Sequence, residues 1–502
     1  MTSAHCIHVN RRRLLTLYLL QSTGLLASQT LHAAPDTPVT SSGLDTPSAT
    51  VTDDFDWVVD TVRRNYAGWH TKAEGPQQAE LQMLTAQLRR HVSTGDERTL
   101  REALRVWIGW FRDGHLQLEW SIQAETKSWP NERRAVRETD VRRLLSDPKR
   151  DPVQGLWQID DMYTLGVLPQ AGYADRFDAV VLRTAAEGWK PGDLKAVLTR
   201  TGPSAYRLHY GTLARTELML DARLDPRHER LDTQGAAGVW RRLHDTPEQR
   251  RAALRRYPGS EPAFERVDNQ TVYLRAPSFS LDSADKLLSL IERHRAEIAR
   301  SRQLIVDIRY NGGGGNSTYE PLLPFMYTRP FVLIGREYRA STDNQRLYRE
   351  IVKQLQPLRP DLALEVEAIV AAMETAQGPF VSAPGRGFRI TTLPHLAQRP
   401  ARVALLIDGA ASAAEDLILT ARQSRSVILM GQRRSAGVAD FAEMVSMTPP
   451  SGRFTLAWAT TRTLRLPEDP VDEIGGIAPD VWIPTGENDP VAWAARALKR
   501  LN

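Results

Sequence analysis

The sequence predicts a multi-domain α+β protein whose last part is an α/β domain. Three observations carry this prediction: helical periodicity near the N-terminus, short apolar β-type runs in the middle, and alternating strand and helix patterns after about residue 263. The length of 502 residues suggests two or three domains. With 41% hydrophobic and 25% charged residues, the composition is that of a globular protein.

Residues 1–34 are predicted to form a signal peptide. Arg11, Arg12 and Arg13 precede a short apolar stretch, and Ala33-Ala34 offers a small-residue cleavage site. The arginines also loosely resemble a twin-arginine signal. The apolar stretch is short and interrupted by polar residues, so no stable membrane span is expected after cleavage. These features predict a periplasmic or secreted protein, with residues 35–52 as a Pro/Thr/Ser-rich linker.

Residues 53–120 are predicted to form an N-terminal helical domain. Apolar residues recur at helical spacing in three stretches, and the third stretch stops at Asp113-Gly114-His115. Gly114 is a typical helix C-terminal residue. A histidine in such a loop is most often an ordinary surface residue, but Asp113 beside it can hold His115 in one orientation.

Residues 121–262 are predicted to form a β-rich middle domain followed by a linker. Short apolar runs are separated by turn signals such as Lys190-Pro191-Gly192-Asp193, and residues 232–262 resemble a connecting helix and linker. No side chains in this stretch form a chemical motif. The domain is interpreted as a substrate-binding element or a spacer.

Residues 263–502 are predicted to form the catalytic α/β domain. The buried strand 304–309 is followed by four glycines, Gly312 to Gly315, whose backbone N–H groups can converge on a ligand. The ending of a phosphate loop is absent, and the spacing does not fit a dinucleotide fingerprint. Residues 320–400 are interpreted as an insertion that acts as a lid or a dimer arm, so homo-oligomer formation is left open.

The stretch 403–416 is the candidate centre of the chemistry. An apolar strand, Val403–Ile407, leads through a turn of small residues to Ser412, and a helical pattern follows. Such a turn exposes a hydroxyl, and the helix N-terminus offers N–H groups to a developing oxyanion. By itself, however, the stretch fits an ordinary helix-capping serine better than a nucleophile.

Composition and motifs exclude several classes of function. The formal net charge is only +5, and three arginines belong to the predicted signal peptide, so a nucleic-acid partner is not expected. Cys6 is the only cysteine and lies in the same segment, which excludes a thiol nucleophile from the mature chain. No metal motif is present, and neither a metal nor another cofactor is expected.

Four motifs in order resemble the tail-specific (C-terminal processing) serine peptidase family, and more closely its tricorn-core branch. These motifs are Asp113–Leu116, Asp307–Gly314 with the pattern D-x-R-x-N-G-G-G, Ala411–Glu415, and Glu473–Asp480 with the pattern E-x-x-G-I-x-P-D. The middle domain and the 320–400 segment are not covered by the resemblance. The resemblance implies a crotonase-like ββα catalytic domain, a peptide or unfolded-protein substrate and no cofactor.

The resemblance also implies which residues act. One design in the family pairs the serine with a lysine about twenty-five residues downstream, a position held here by Gly437. The other design uses a histidine and a glutamate, and His115 and Glu473 occupy those places. A hydroxyl residue that the family places beside the histidine is replaced here by Gly114.

The predicted roles follow from this second design. Ser412 is the nucleophile, His115 the general base and Glu473 the residue that orients or polarises the site. Oxyanion donors are expected from the backbone of Ala413 and of Gly313 or Gly312. Supporting residues are expected to be Asp307, Arg309, Asn311 and Asp113, and Glu415 is interpreted as structural because it lies in the first turn of the helix.

Three other functions remain open at this point. The same fold serves as a ligand carrier in a retinoid-binding protein, although a carrier has no need of Ser412, His115 and Glu473 together. An acyl-CoA enzyme of the crotonase type would not need a signal peptide. An esterase or amidase could use the same serine, because it too proceeds through an acyl-enzyme.

Overall fold

The computed structural model describes residues 49–120, 129–159, 163–184, 189–212, 215–233, 240–243, 261–382, 385, 387–485, 487 and 489–500. The predicted signal peptide and nearly all of the linker lie outside these residues. The chain divides into two compact units, one with residues 1–121, 262–485 and 492–502 and the other with residues 122–261 and 486–491. A mixed α/β, multi-domain fold is thereby confirmed, while the crotonase-like detail remains an expectation.

Besides two short helical turns, Trp69–Lys72 and Gly75–Gln77, the first unit opens with three longer helices and one strand. They are α1 Val51–Asn65, α2 Gln78–Val92, α3 Glu97–Trp110 and β1 Gln117–Trp120. α1 begins where Thr50 accepts the N–H of Asp53, and α3 begins where Asp96 accepts the N–H of Thr99. Such caps satisfy N–H groups that have no partner within a helix. α3 ends before Arg112, whose φ of 47° turns the chain toward Gly114 and His115.

The second unit is an eight-stranded closed barrel preceded by one helix. Its elements are α4 Glu138–Leu144, β2 Gly155–Ile159, β3 Tyr163–Pro169, β4 Arg176–Thr184, β5 Leu194–Gly202, β6 Ala205–Gly211, β7 Glu217–Leu224, β8 Arg230–Asp232 and β9 Trp240–Arg242. Because β9 pairs with both β2 and β8, every strand of the barrel has two neighbours, and no edge is left to recruit another chain.

The end of the middle region differs from its predicted structure. Residues 232–262 were expected to contain a helix and a linker, whereas Trp240–Arg242 is the strand that closes the barrel. Trp240 is fully buried in the barrel core, where its ring lies 6.5 Å from that of Trp157. A three-residue strand is too short to show the alternating pattern on which a strand prediction depends. Residues 244–260 lie outside the described residues.

The remaining elements follow in chain order. They are β10 Ala263–Arg266, β11 Thr271–Arg275, α5 Leu281–Arg300, β12 Gln303–Asp307, β13 Phe331–Leu333, β14 Arg336–Arg339, α6 Thr342–Leu355, α7 Pro360–Glu374, β15 Phe380–Val381, β16 Arg389–Thr391, β17 Arg402–Leu406, α8 Ala413–Ala421, β18 Val427–Gly431, β19 Phe441–Met447, β20 Phe454–Thr463, β21 Val481–Trp482 and α9 Pro490–Arg500.

A six-stranded sheet in the order β10-β11-β12-β17-β18-β21 forms the centre of the first unit. All neighbours from β11 to β21 are parallel, and the mainly apolar strands β11, β12 and β17 are buried on both faces. Asp307 at the end of β12 lies beside Leu406 at the end of β17. The loops after these two strands therefore meet at one edge of the sheet, where open α/β sheets usually bind ligands.

A second, antiparallel sheet connects the helices to this region. Its order is β1-β20-β14-β15, with β19 also paired to β20. β20 is one continuous strand of ten residues, and its sequence contains no turn former such as glycine or proline.

The helices at the N-terminus share a hydrophobic core with residues far along the chain. Phe55 and Trp107 belong to the same buried cluster as Tyr348 of α6, Val366 of α7 and Trp458 of β20. The segment 320–400, interpreted as an insertion, thus provides β14 and β15 to the antiparallel sheet and two helices to this core. None of the helices in the described residues has the length and apolar character needed to span a bilayer.

Candidate active site

Ser412 lies on a strained turn between β17 and α8. Its backbone has φ 55° and ψ −123°, a conformation that residues with a side chain rarely adopt. Such strain costs about 1–3 kcal/mol and persists where the surrounding structure enforces it, often at functional sites. A sharp strand-to-helix turn with a strained serine is also how hydrolases expose a nucleophile.

The glycine loop after β12 packs directly against this turn. A Cβ atom at Gly313 would lie 2.7 Å from the Cβ of Ser412 and 3.0 Å from the backbone N of Ala413. Gly313 also has φ 95°, so a side chain would be both strained and obstructed here. The sequence motifs at Ser412 and Gly313 are therefore in contact, although they lie about a hundred residues apart.

Two of the three predicted oxyanion donors are available. The N–H of Gly313 donates to Oδ1 of Asn311 over 2.8 Å and is therefore already used. Within the described residues, the N–H groups of Gly312 and Ala413 donate to no protein acceptor. Ala413 is the first residue of α8, where the N–H also benefits from the positive end of the helix dipole.

Asp307, Arg309 and Asn311 hold the glycine loop in place. The buried carboxylate of Asp307 binds Arg309 through contacts of 2.7 and 2.9 Å and Arg275 through a contact of 3.3 Å. Although burial opposes it, the charges of the two arginines hold the pKa of Asp307 below its usual value. Asn311 donates to the carbonyl of Ala276 and accepts from the N–H of Gly313, so it anchors the loop to β11.

Glu415 connects the serine helix to residues 435–438. Its fully buried carboxylate accepts hydrogen bonds from the Ser435 hydroxyl at 2.5 Å and from the N–H groups of Gly437 and Val438 at 2.8 Å each. The N–H of Ser412 also donates to it over 3.3 Å. Burial raises the pKa of Glu415, and these donors partly offset that effect. This agrees with a structural role for Glu415.

His115 lies beside the same segment. A Cβ atom at Gly114 would lie 2.7 Å from Cγ1 of Val438. The N–H of the same Val438 donates to Glu415. The histidine loop thus packs on a segment tied to the serine helix. A side chain at Gly114, the departure from the family pattern, would force Val438 to shift.

The surroundings of His115 favour its neutral form. Burial lowers its pKa, while Asp113, the backbone of Phe441 and Asp416 partly oppose this effect. Within the described residues, its Nδ1 is buried without a hydrogen-bond partner. Asp113 fixes the loop through the backbone, because its Oδ1 accepts the N–H of His115 over 2.8 Å. A neutral imidazole can accept a proton from a serine hydroxyl.

A group of buried acids lies behind the histidine loop. Tyr66 donates a short hydrogen bond to Asp113. Burial, together with the negative charges of Asp440 and Asp113, raises the pKa of Asp472 to about 8. Asp472 therefore retains a proton near neutral pH, which limits the negative charge beside Asp113.

Glu473 lies apart from the buried network. It is exposed on the turn after Asp472, and within the described residues it makes no hydrogen bond to Ser412 or His115. The turn itself packs on residues 435–438, the segment bound by Glu415, since a Cβ atom at Gly476 would lie 2.3 Å from the carbonyl oxygen of Ser435. The role of Glu473 stays a prediction.

A cavity of about 280 Å³ lies beside α8, lined among others by Asp416, Leu419, Arg336 and Tyr338. It includes neither Ser412 nor His115. No group of three or more His, Cys, Asp or Glu side chains in the described residues is arranged to hold a metal ion.

Comparison with known proteins identifies the family of this region. Residues 270–483, which contain the glycine loop, the serine turn and the Glu473 segment, match the sequence profile described as peptidase family S41. This region carries the sequence pattern of peptidase family S41. The predicted family and enzyme class, a serine-type peptidase and therefore a hydrolase, are confirmed, whereas the choice of branch stays a prediction.

Solved structures show further similarities to this S41 peptidase. Mature CPAF in complex with lactacystin is 13% identical, with a TM-score of 0.48 over 90% of this chain and 97% of that chain. The photosystem II D1 C-terminal processing protease is 14% identical, with a TM-score of 0.35 over 90% and 100%. The tricorn protease is 14% identical, with a TM-score of 0.40 over 90% and 36%. No curated protein matches the chain.

Sequence reasoning missed the buried acids around the histidine loop. Tyr66 and Asp472 belong to no motif that suggests a site, and their proximity depends on long-range packing. Asp472 directly precedes Glu473, the first residue of the family motif, and is not itself part of that motif. The apolar residues around Asp472, Val471 and Ile477, were the only hint in the sequence that this segment is buried.

Proposed function

We propose that this S41 peptidase hydrolyses peptide bonds of peptides or unfolded proteins through an acyl-enzyme on Ser412. The observation that carries the proposal is the strained Ser412 turn packed against Gly313, with the N–H of Ala413 available at the start of the serine helix. Backbone strain of the kind seen at Ser412 is often retained at functional sites.

The first half-reaction forms the acyl-enzyme. The Ser412 oxygen attacks the carbonyl carbon of the substrate, and His115 accepts the hydroxyl proton. The carbonyl oxygen becomes an oxyanion, which the N–H groups of Ala413 and Gly312 stabilise. The C–N bond then breaks, and His115 gives its proton to the departing amine.

The second half-reaction releases the product. Water attacks the acyl carbon, His115 accepts a proton from that water, and the Ser412 oxygen leaves and recovers the proton. His115 suits both directions because burial lowers its pKa, so that it is neutral at the start of each half-reaction.

Hydrolysis of an unfolded, dye-labelled protein tests this proposal. Wild type should release labelled peptides, and Ser412→Ala and His115→Ala should each lose about 10⁴-fold or more in rate. Both variants must first show the wild-type circular dichroism spectrum. Undiminished hydrolysis by folded Ser412→Ala would contradict the proposal.

We further propose that the protein acts outside the cytoplasm, in the periplasm or after secretion. The supporting observation is the arginine, apolar and small-residue pattern of residues 1–34. Fractionation of cells that express the full chain, with Arg11→Ala/Arg12→Ala/Arg13→Ala as a control, tests it. Equal amounts of both proteins outside the cytoplasm would contradict a role for the arginines.

A further inference from the structure

A stripe of arginines follows the exposed face of α3. Arg98, Arg101 and Arg105 lie on the helix, and Arg112 lies just beyond its end. The spacings of three and four residues place Arg98, Arg101 and Arg105 near one face of the helix. At a rise of about 1.5 Å per residue, the helix from Arg98 to its end near Arg112 is about 20 Å long.

The stripe borders a groove of about 940 Å³ between α3 and β1. Arg98, Arg101, Arg105 and Arg112 line one side, and the groove also includes Leu118 and Trp120 of β1. The guanidinium of Arg101 lies over the Trp120 ring at 4.2 Å, which fixes it between the two elements. The groove therefore combines positive charge with an apolar floor.

The groove reaches the histidine loop. Asp113, Gly114 and Leu116, the residues on both sides of His115, belong to its lining. A ligand in this groove would thus pass directly beside the proposed general base. The groove therefore lies next to the proposed active site.

β1 offers a backbone edge along the same groove. It pairs with β20 on one side and, within the described residues, with no strand on the other. An extended peptide can add to such an edge. Six extended residues cover about 20 Å, which equals the length of the arginine stripe.

The charges of the groove select the peptide. Exposed acids already accompany two of the arginines: Arg98 pairs with Glu102 at 3.2 Å and Arg101 with Glu97 at 2.6 Å. Within the described residues, the side chains of Arg105 and Arg112 have no carboxylate partner. These two arginines, nearest to His115, are available to carboxylates of a ligand.

We propose that this groove binds an acidic segment of the peptide substrate and so gives the peptidase a preference for substrates rich in Asp and Glu. The inference rests on the proposed function. A peptide fits better than a nucleic acid, because Glu102 interrupts the stripe and would repel a continuous phosphate backbone, whereas spaced carboxylates avoid it.

Binding to the inactive variant Ser412→Ala provides the first test, since it does not depend on hydrolysis. Fluorescence anisotropy compares a labelled neutral peptide with the same peptide carrying three Glu residues or three Lys residues. The acidic peptide should bind at least tenfold more tightly than the neutral one, and this advantage should shrink between 50 and 500 mM salt. Equal affinity for all three peptides would overturn the inference.

Substitutions in the groove locate the effect. Arg105→Gln/Arg112→Gln in the Ser412→Ala background should weaken binding of the acidic peptide by about 5–20-fold and leave the neutral peptide unchanged. Arg90→Gln, an exposed arginine of α2 outside the groove, is the matched control and should change neither affinity. An equal loss in the control would show a general charge effect and would contradict the groove.

Two further outcomes separate the proposals. If wild type hydrolyses the neutral and the acidic peptide equally well, the inference fails and the proposed function stands. If wild type hydrolyses no peptide although Ser412→Ala binds the acidic one through the groove, the proposed function fails. A single-stranded oligonucleotide that displaces the acidic peptide at lower concentration than the unlabelled peptide itself would show a polyanion site and overturn the inference.

Discussion

The serine region and the barrel each bury a fully enclosed charged side chain, Asp307 and Lys195, and the two have opposite surroundings. Near Ser412, Asp307 is fully buried between Arg309 and Arg275, and each charge has a partner. In the barrel, Lys195 is also fully buried, yet its Nζ has no acceptor within the described residues. The rings of Tyr163, Trp189 and Tyr210 surround it at 3.8–4.6 Å.

The backbone explains how Lys195 reaches this place. Ala179 pairs with Ala196 and Val180 with Leu194, so Lys195 is the extra residue of a β-bulge. A bulge redirects a side chain that would otherwise alternate with its neighbours. Burial, with a smaller effect from the charge of Arg215, lowers the pKa of Lys195 to about 7.

The difference shows what each arrangement provides. Paired charges remain ionised and fix the geometry of a loop, as Asp307 does for the glycine loop. An unpaired buried amine gives up its proton more readily, since only aromatic rings stabilise its charge. Asp307 is therefore held by ion pairs, whereas Lys195 is held by aromatic packing.

The largest expected effect concerns the strained serine. Ser412→Gly should abolish hydrolysis, with a loss of about 10⁶-fold in kcat. The same change should raise the free energy of unfolding by about 1 kcal/mol, because glycine adopts a positive φ without strain. Ser412→Ala, which keeps the strain, is the control. A Ser412→Gly protein less stable than Ser412→Ala, as measured by urea denaturation, would show that the turn is not strained.

The second-largest effect is expected when the ion pairs of Asp307 with Arg309 and Arg275 are removed. Asp307→Asn leaves Arg309 and Arg275 without their shared carboxylate and should lower the free energy of unfolding by about 3–5 kcal/mol. Asp56→Asn removes a comparable ion pair with Arg89 that is 2.7 Å long but solvent-exposed. Asp56→Asn should lower the free energy of unfolding by less than about 1 kcal/mol. If urea denaturation shows a similar loss of unfolding free energy in both variants, the expected difference between the buried and the exposed ion pair is contradicted.

The unpaired amine of Lys195 should make the free energy of unfolding depend on pH. Because the pKa of Lys195 is about 7 in the folded protein and about 10.4 in an unfolded chain, the unfolded state binds more protons between these values. The free energy of unfolding attributable to this group should therefore rise from pH 7 to pH 9. Lys195→Met should lack this rise. Parallel pH profiles of wild type and Lys195→Met would mean that the lysine keeps its ordinary pKa.

The smallest effect concerns the histidine. Since burial lowers the pKa of His115, kcat/KM should rise along an acid limb with a midpoint below 6.5. Asp113→Asn removes a charge that opposes this lowering and should move the midpoint to lower pH, while Asp56→Asn should leave it in place. A midpoint that moves to higher pH in Asp113→Asn would contradict the assignment of the limb to His115.

The sequence predicted the parts of the site that depend on local chemistry. A turn of small residues around Ser412 and the glycines after β12 are short patterns, and adjacent parallel strands bring them together. The loop of His115 was predictable as a helix end, but α3 already ends at Trp110, and Arg112 rather than Gly114 has the positive φ that turns the chain. These features are encoded within a few residues of one another.

The rest depends on contacts between distant segments. Phe55 and Trp458 share a core, although nothing in either stretch indicates the other. Lys195 looks like an ordinary strand lysine until a bulge and three aromatic residues place it inside the barrel. Glu473 matched a motif, yet its exposure depends on how the following glycines turn the chain.

Labelling with a fluorophosphonate tests the central claim most directly, because the reagent forms a stable adduct only with an activated serine. The full mature protein, His115→Ala and Ser412→Ala are treated in parallel, and the adduct is mapped by peptide mass spectrometry. The account predicts an adduct on Ser412 in wild type, a labelling rate reduced at least a hundredfold in His115→Ala, and no adduct in Ser412→Ala. A folded wild-type protein that stays unlabelled, or that carries its label on a different serine, would contradict it.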